Sequence, residues 1–169
     1  MTIAKLNSKT PNAVAEKIFD PKPKQQILII GGGYAGFYTA WKLEKTLGKN
    51  EAEITLVDPL PYMTYQPFLP EVAAGSIEPR HVIVSHRQHL RKTTLIAGSM
   101  TKVNHRQKKA TVKIPGGKNR VLEYDQIIMT AGAVTRTFPI KGVAEEAIGI
   151  KTVEEAVEIR NRMVGNFER

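Results

Sequence analysis

Short runs of apolar residues, separated by glycine-rich or proline-rich segments, dominate the first part of the chain. Residues 27–30 are four consecutive aliphatic residues, which is typical of a strand buried on both faces of a parallel sheet. Three glycines end this run, and from Tyr34 to Leu47 the apolar residues recur with helical spacing until Gly48. A second apolar run at 54–57 ends at Asp58. This order of strand, glycine turn, helix and strand predicts a right-handed βαβ unit with a parallel sheet.

The middle of the chain alternates between the same strand pattern and shorter segments. Residues 59–79 hold five of the ten prolines, so no long regular element fits there, and structured loops of this size are usually functional. Residues 81–91 have the spacing of an irregular helix. Buried strands are predicted at 94–97 and 126–129, and a three-stranded antiparallel meander is predicted between them, at 100–104, 110–114 and 120–123.

Together these patterns predict an α/β fold, a Rossmann-like half-domain with a parallel sheet and an inserted three-stranded antiparallel meander. The lysine-rich residues 1–26 are predicted to be a disordered basic tail, because two prolines near their end block regular pairing. Residues 27–150 then form the domain, and residues 151–169 contain a final helix. Thr152 and Glu155 match the capping box that starts such a helix. One side of it is apolar, with Val153, Val157, Val164 and Phe167.

The composition excludes several classes of protein. With 169 residues, 41% of them hydrophobic and 24% charged, the chain suits one folded domain. It has no run of eighteen apolar residues that could span a membrane, and residues 1–20 lack the apolar region of a secretory signal. The absence of cysteine excludes disulfides, thiolate nucleophiles, iron–sulfur clusters and redox disulfides. We therefore expect a cytoplasmic protein.

The net charge of +9 is concentrated in one segment. Residues 80–122 contain 11 Lys and Arg and no Asp or Glu, whereas the rest of the chain sums to −2. An anionic membrane surface and nucleic acid are candidate partners for such a segment, although it has no aromatic residue to stack on bases. A solvated face of the meander is the alternative. All four histidines lie here without a nearby carboxylate or cysteine, so we expect surface histidines rather than a metal site.

Candidate chemistry lies in the glycine turn at 31–36, which satisfies G-x-G-x-x-G. Alone the motif is a weak signal, but here it follows a predicted strand and opens a predicted helix. In that context Gly31 makes the tight turn, Gly33 lets the backbone approach a pyrophosphate, and Gly36 lets helix and strand pack closely. The free N–H groups at the helix N-terminus then face the phosphates. The alternative is a glycine-rich turn without a ligand.

Asp58 ends the next strand, 22 residues after Gly36, where a carboxylate can accept hydrogen bonds from ribose hydroxyls. An acid at this position repels a 2′-phosphate and so disfavours NADP against FAD or NAD. The motif does not choose between these two cofactors. The antiparallel meander helps to distinguish them, because it is not part of a plain nicotinamide-binding half.

The loop after the second strand contains the pattern Q-P-x-L-x-E-V-A-x-G at residues 66–75. Together with the segments around the glycine motif, Asp58 and the strand at 126–129, it resembles the N-terminal portion of type II NADH dehydrogenases, the non-proton-pumping NADH:quinone oxidoreductases. Residues 66–75 carry the more specific part of the resemblance. The glycine motif and Asp58 are shared more widely, among pyridine nucleotide-disulfide oxidoreductase-like flavoproteins. The resembling segments are Gln25 to Lys45, Val57 to Pro59, Tyr65 to Gly75 and Tyr124 to Gly132.

The resemblance implies an enzyme that takes hydride from NADH onto FAD and passes two electrons to a membrane quinone. It implies a peripheral location on the cytoplasmic face of the membrane, and a homodimer is a candidate assembly. Catalytic residues are not assigned. Tyr62, Tyr65 and Phe68 either cover the flavin or pack the loop. The residues implied to bind FAD are Gly31, Gly33, Tyr34, Ala35 and Gly36 at the pyrophosphate, Asp58 at the ribose, Met100 at the adenine, and Gln66, Pro67, Thr130, Ala131 and Gly132 near the flavin.

The chain departs from this family in length, because the family chain is more than twice as long. No second G-x-G-x-x-G motif follows Gly132, and the returning strand, the quinone-site residues and the C-terminal amphipathic helices have no counterpart. We therefore expect an incomplete FAD-binding domain, a final helix that leads towards an NADH-binding domain, and a chain inactive by itself. The alternatives are another two-dinucleotide flavoprotein reductase, which residues 66–75 disfavour, and a non-catalytic dinucleotide-binding module.

Overall fold

Four parallel strands form the central sheet of the structure, a computed structural model that describes residues 24–168. They are β1 (Gln25–Ile30), β2 (Ala52–Asp58), β5 (Thr94–Ala97) and β9 (Gln126–Met129). Their order across the sheet is β5-β2-β1-β9. Residues 27–30 of β1 are all less than 8% exposed, because β1 pairs with a strand on each side and is covered on both faces. The predicted parallel sheet is confirmed.

One layer lies against each face of this sheet. The first helix, α1 (Tyr34–Thr46), packs through Phe37 and Ala40 on one face. The predicted meander, confirmed as β6 (Ser99–Asn104), β7 (Lys109–Lys113) and β8 (Arg120–Glu123), packs through Ala110 and Val112 on the other. Burial of these aliphatic and aromatic side chains in two clusters gives the domain its core. The fold class predicted from the sequence, an α/β half-domain with an inserted antiparallel meander, is therefore confirmed.

The segment between β2 and β5 differs from the sequence prediction. Residues 81–91 were predicted to be an irregular helix, but they contain β4 (Ile83–Ser85) and only a four-residue helix, α3 (His86–His89). β4 pairs antiparallel with β3 (Tyr62–Thr64), and the partner of Val84 is the buried Met63. The β-branched residues of β4 suit this pairing. The loop itself holds no regular element longer than the five residues of α2 (Leu69–Ala73), as predicted.

The N-terminal boundary also differs. Gln25 and Gln26 were assigned to the tail, but they are the first residues of β1 and pair with Ala52 and Glu53. Residues 1–23 of the predicted tail lie outside the described residues.

The C-terminal helix α5 (Val153–Phe167) packs against α2, and a short helix, α4 (Val143–Glu146), precedes it. Ala156 of α5 is fully buried among Leu69, Val72 and Val82. The predicted apolar stripe is buried only in its first half: Val153 and Val157 join this cluster, whereas Val164 is 49% exposed and Phe167 is 86% exposed. Across residues 24–168, no helix combines the length and the apolar character that a membrane crossing requires.

The predicted capping box starts α5. Thr152 Oγ1 accepts a hydrogen bond from the Glu155 amide at 3.1 Å, and Glu155 Oε2 accepts from the amides of Lys151 and Thr152 at 2.7 and 2.9 Å. These bonds satisfy backbone donors that an uncapped helix leaves open. The hydrogen bond from the Lys151 amide, followed by the other cap contacts, lowers the pKa of Glu155 against the opposing effect of burial.

We expect Glu155→Gln to lower the stability of the protein at neutral pH by about 1 kcal/mol and to flatten its dependence on acid. Folding lowers the pKa of Glu155, so the unfolded chain binds the proton more tightly. The contribution of the carboxylate is therefore complete above its unfolded pKa and is lost as the pH falls through its folded pKa. Urea unfolding between about pH 7 and pH 3 measures this dependence. Glu158→Gln is the control, because Glu158 is exposed and takes no part in the cap. If the free energy of unfolding of Glu155→Gln depended on pH as strongly as that of the wild type, the prediction would be wrong.

Candidate functional site

A groove of about 580 Å³ lies at the carboxyl ends of β1, β2 and β9. This edge is where open α/β sheets bind their ligands. It brings together nine of the twelve residues that were predicted from the sequence to bind FAD, and these come from four separate stretches of the chain. Those nine are Gly31, Gly33, Tyr34, Ala35, Asp58, Gln66, Thr130, Ala131 and Gly132.

The glycine turn needs its glycines for three different reasons. Gly31 has a φ of +99°, and a side chain there would overlap the carbonyl of Thr130. A Cβ at Gly36 would overlap the carbonyl oxygen of Gly31, so this glycine permits the close packing of α1 on the turn. A Cβ at Gly33 would meet no atom within 4 Å, and this position borders the groove. Gly36 thus lies beneath the groove rather than in its wall.

The N-terminus of α1 opens into the groove without a cap. Gly33 precedes the helix and offers no side-chain hydrogen bond, and the first turn contains no acidic residue. Tyr34 and Ala35 line the groove at this point. The backbone N–H groups of a first helical turn have no partner inside the helix, and the helix dipole adds positive potential. The arrangement is suited to an anion such as a phosphate.

Asp58 connects the glycine turn to the loop after β2. Its Oδ2 accepts a hydrogen bond from the Gly32 amide at 2.5 Å, and its Oδ1 accepts from the Leu60 amide at 2.7 Å. A carboxylate has about four acceptor positions, so two remain for a ligand. The side chain is half-buried and lines the groove. Asp58 therefore fixes the turn and can still accept hydroxyl donors.

Thr130 holds the end of β9 against the same turn. Its hydroxyl lies 2.8 Å from the carbonyl oxygen of Ile30 and 2.9 Å from that of Gly31, and it donates its proton to this pair. Its side chain therefore stabilises the turn, while Ala131 and Gly132 continue along the groove. Gly132 has a φ of +72°, which favours glycine there.

Two of the nominated residues lie away from the groove, besides Gly36. Pro67 belongs to a short helical turn beside it, and only its neighbour Gln66 lines the groove. Met100 pairs with Val112 in the meander and packs its side chain against the core. It follows the carboxyl end of β5 by three residues and does not line the groove.

His86 supports the glycine turn from below and was not expected there. The sequence suggested surface histidines, but His86 is only 2% exposed, whereas His81 and His89 are exposed. Its Nε2 lies 2.8 Å from the Gly32 carbonyl, which can only accept, so Nε2 carries the proton and donates. The spacing of Val82, His86 and Leu90, all buried, was the signal available in the sequence. Within the described chain, no three potential ligands form a metal site.

Glu44 fixes the other end of α1, and no sequence pattern indicated this role beyond a lone acid on an apolar helix. Its carboxylate is buried and accepts hydrogen bonds from the amides of Arg91 and Lys92 at 3.1 and 2.7 Å and from the Thr93 hydroxyl at 2.7 Å. These bonds satisfy a charge that would be costly to bury alone. α1 is thereby attached to the segment before β5.

The wall of the groove next to β9 comes from the loop after β2 and from the start of α5. Tyr62 donates a hydrogen bond to Glu154 Oε1 at 3.2 Å, and burial together with that carboxylate raises the pKa of Tyr62. Gln66 donates to the Lys151 carbonyl at 3.3 Å. Of the three loop aromatics, only Tyr62 lines the groove. Tyr65 and Phe68 pack their rings together, with centroids 5.0 Å apart, and Tyr65 also packs on Tyr34.

These features define the Rossmann-like class of α/β proteins: a parallel sheet with a glycine turn, an uncapped helix N-terminus and a strand-end carboxylate at its carboxyl edge. The chain belongs to the pyridine nucleotide-disulphide oxidoreductase family, whose model matches residues 25–167.

Its relatives confirm the narrower resemblance to type II NADH dehydrogenases. The chain is 31% identical to the mitochondrial external alternative NAD(P)H-ubiquinone oxidoreductase B3 of Arabidopsis thaliana, over 86% of this chain and 26% of that protein. It is 29% identical to a type II NADH:quinone oxidoreductase of Staphylococcus aureus, over 85% of this chain and 35% of that protein. The structure of NDH2 from Plasmodium falciparum in complex with NADH superposes with a TM-score of 0.77 at 28% identity, over 86% of this chain and 30% of that one. The chain thus spans about a quarter to a third of these relatives.

Proposed function

We propose that this chain forms the FAD-binding portion of an oxidoreductase that transfers electrons from NADH through FAD to a membrane quinone. The observation that carries the proposal is the groove, which joins the glycine turn, the uncapped α1 N-terminus and Asp58 at one sheet edge. The relatives named above are NADH:quinone or NAD(P)H-ubiquinone oxidoreductases. Because the chain spans 26% to 35% of those relatives, the proposal assigns NADH and quinone to the complete enzyme and FAD to this part.

The residues present fit a dinucleotide with a pyrophosphate at its centre. The open space at Gly33 lets the phosphates approach the backbone, and the uncapped N–H groups at Tyr34 and Ala35 can donate to them. The free acceptor positions of Asp58 suit the two ribose hydroxyls, and the carboxylate repels a 2′-phosphate. When bound, FAD supplies the acceptance of hydride and the release of electrons, and the protein supplies position and electrostatics.

The sheet order orients the ligand in this proposal. Asp58 ends β2, so the adenosine half lies on that side of α1, with the Met100 backbone at the adenine. The flavin half then lies on the β9 side, along Thr130, Ala131 and Gly132. Gln66 lines the same side, and Pro67 supports it from the adjacent turn.

The test is an absorption spectrum of the purified 169-residue chain after incubation with excess FAD and removal of free ligand. We expect one FAD to remain bound per chain, and excess NAD should not displace it. A colourless chain that circular dichroism shows to be folded would contradict the proposal and favour a non-catalytic module. Retention of NAD in place of FAD would contradict the cofactor assignment while keeping the groove as a dinucleotide site.

Asp58→Ala is expected to weaken FAD binding by about 1 to 3 kcal/mol, the range for hydrogen bonds to a charged group. Asp58→Asn keeps one acceptor oxygen and should lose less. Equilibrium dialysis of each variant against FAD measures the effect. Because the carboxylate also accepts from Gly32 and Leu60, a thermal unfolding curve of each variant separates loss of the turn from loss of the ribose contact. Unchanged affinity in a folded Asp58→Ala protein would refute the ribose role.

We also propose that the meander contacts an anionic membrane surface on the cytoplasmic side, where the quinone of the complete enzyme is reached. Lys113 of β7 is exposed and points away from the buried Ala110 and Val112, and Lys102 is exposed on the neighbouring β6. Lys109 shares the face of Lys113 but forms an ion pair with Glu123 at 3.1 Å. Clustered lysines gain about 1 kcal/mol each near anionic lipid. Co-sedimentation with phosphatidylserine vesicles should be lost at high salt and be absent with neutral vesicles. Binding to single-stranded nucleic acid instead of vesicles would contradict the proposal.

A homodimer remains a prediction, and light scattering measures the mass of the assembly in solution.

A further inference from the structure

Lys151 supplies the only cation among the residues of the 24–168 span that line the groove. It lies immediately before the capping box, and its backbone is fixed on both sides: its amide donates to Glu155 Oε2 at 2.7 Å, and its carbonyl accepts from Gln66 at 3.3 Å. Few conformations are therefore left to its main chain. The half-buried side chain extends from a rigid support towards the β9 side of the groove.

The ammonium group of Lys151 has donors to spare. Its Nζ has a single hydrogen-bond acceptor within the described part of the chain, the Ala133 carbonyl at 3.3 Å. No carboxylate of residues 24–168 lies within 4.0 Å of it. An ammonium group carries three N–H donors, so two remain for a ligand. Glu155 interacts with Lys151 electrostatically from beyond that distance. A half-buried cation in the wall of a groove, with no carboxylate in direct contact, still raises the local potential for negative charge.

The position of Lys151 identifies which part of the ligand meets this charge. Asp58 and Lys151 lie on opposite sides of the α1 N-terminus, at β2 and at the β9 side respectively. With the ribose at Asp58 and the pyrophosphate at Gly33, the flavin ring is the part that extends towards Ala133 and Lys151. This step rests on the proposed function.

Reduction by NADH creates negative charge at that place. The C–H bond of the reduced nicotinamide breaks, an N–H bond forms on the flavin, and NADH becomes NAD⁺. Both electrons of the broken bond pass to the flavin, which therefore carries one additional negative charge until a proton follows. A fixed cation nearby stabilises this form more than the oxidised form.

We propose that Lys151 stabilises the negative charge of the reduced flavin and thereby raises its midpoint potential. The effect expected from one cation at the rim of a groove is about a tenfold preference for the reduced over the oxidised cofactor. For a two-electron couple this corresponds to about 30 mV. If Lys151 only held the Ala133 carbonyl in place, it would stabilise the oxidised and reduced cofactor equally, and the midpoint potential would not depend on its charge.

The experiment is a redox titration of the FAD-loaded 169-residue chain against a reference dye. Lys151→Gln keeps a donor for the Ala133 carbonyl and removes the charge, and it should lower the midpoint potential by about 30 mV. Lys151→Arg should restore most of the difference. Lys141→Gln is the matched control, because Lys141 is exposed and lies outside the groove; its potential should equal that of the wild type.

The outcomes separate this inference from the proposed function. An unchanged potential in Lys151→Gln, with FAD bound to both proteins, would overturn the role of Lys151 alone. An equal shift in Lys141→Gln would also overturn it, because the effect would then follow from net charge. A wild-type chain that takes up no FAD would overturn the proposed function and this inference with it.

Discussion

Gly33→Val is expected to abolish FAD uptake and to leave the fold intact. Gly33 has a φ of −69° and a ψ of −162°, an extended conformation that valine adopts without strain. A Cβ there meets no protein atom within 4 Å, so the branched side chain occupies the groove instead of disturbing the core. That is the space through which a pyrophosphate reaches the backbone. Since each 1.4 kcal/mol is tenfold in affinity, an overlap of several kcal/mol lowers binding by about 100-fold or more.

Retained flavin absorbance after gel filtration measures this loss, and circular dichroism verifies the fold. Gly165→Val is the matched control. Gly165 also has no atom within 4 Å of an added Cβ, but it lies on α5 outside the groove, so that variant should bind FAD as the wild type does. Full uptake by a folded Gly33→Val protein would show that the cofactor does not approach the glycine turn.

The same substitution three residues later, at Gly36, is expected to disrupt the fold itself. Gly36→Val should destabilise the protein by more than about 3 kcal/mol, because its Cβ overlaps the carbonyl oxygen of Gly31 and lies 2.7 Å from the Thr130 hydroxyl oxygen. Both atoms belong to the junction of β1, β9 and α1, which cannot shift without breaking the hydrogen bonds of Thr130. The most severe overlap is with the backbone oxygen of Gly31, so rotation of a side chain cannot relieve it.

Urea unfolding followed by circular dichroism measures the free energy of this variant. The Gly33→Val protein serves as its control, because both variants introduce the same side chain into the same turn. A Gly36→Val protein within 1 kcal/mol of the wild type would show that α1 does not pack on the turn as the structure has it.

The sequence was sufficient for the features that depend on local pattern. The aliphatic run of β1, the glycine turn and the periodicity of α1 follow one another directly, and each is recognisable from a short stretch of residues. The meander was predictable because its strands alternate and its turns are short. The capping box was predictable for the same reason, since Thr152 and Glu155 are three residues apart.

What the sequence did not predict depends on contacts between distant segments. His86 is buried because Gly32, 54 residues earlier, presents a carbonyl to it, and no local pattern specifies that partner. β4 forms because β3 lies beside it, which converts a segment with helical spacing into a strand. The exposed Val164 and Phe167 have helical spacing and apolar character, but α2 is too short to cover them.

The attachment of α1 at both ends has a consequence for the kinetics of binding. Its first turn is held by the packing of Gly36 and its last by the carboxylate of Glu44 on residues 91–93. The helix is therefore unable to tilt independently of the sheet, and the floor of the groove exists before a ligand arrives. A preformed site incurs little ordering entropy when it is filled. We therefore expect the observed rate constant of binding to rise linearly with ligand concentration. A slow rearrangement of the site would instead make it level off at high concentration.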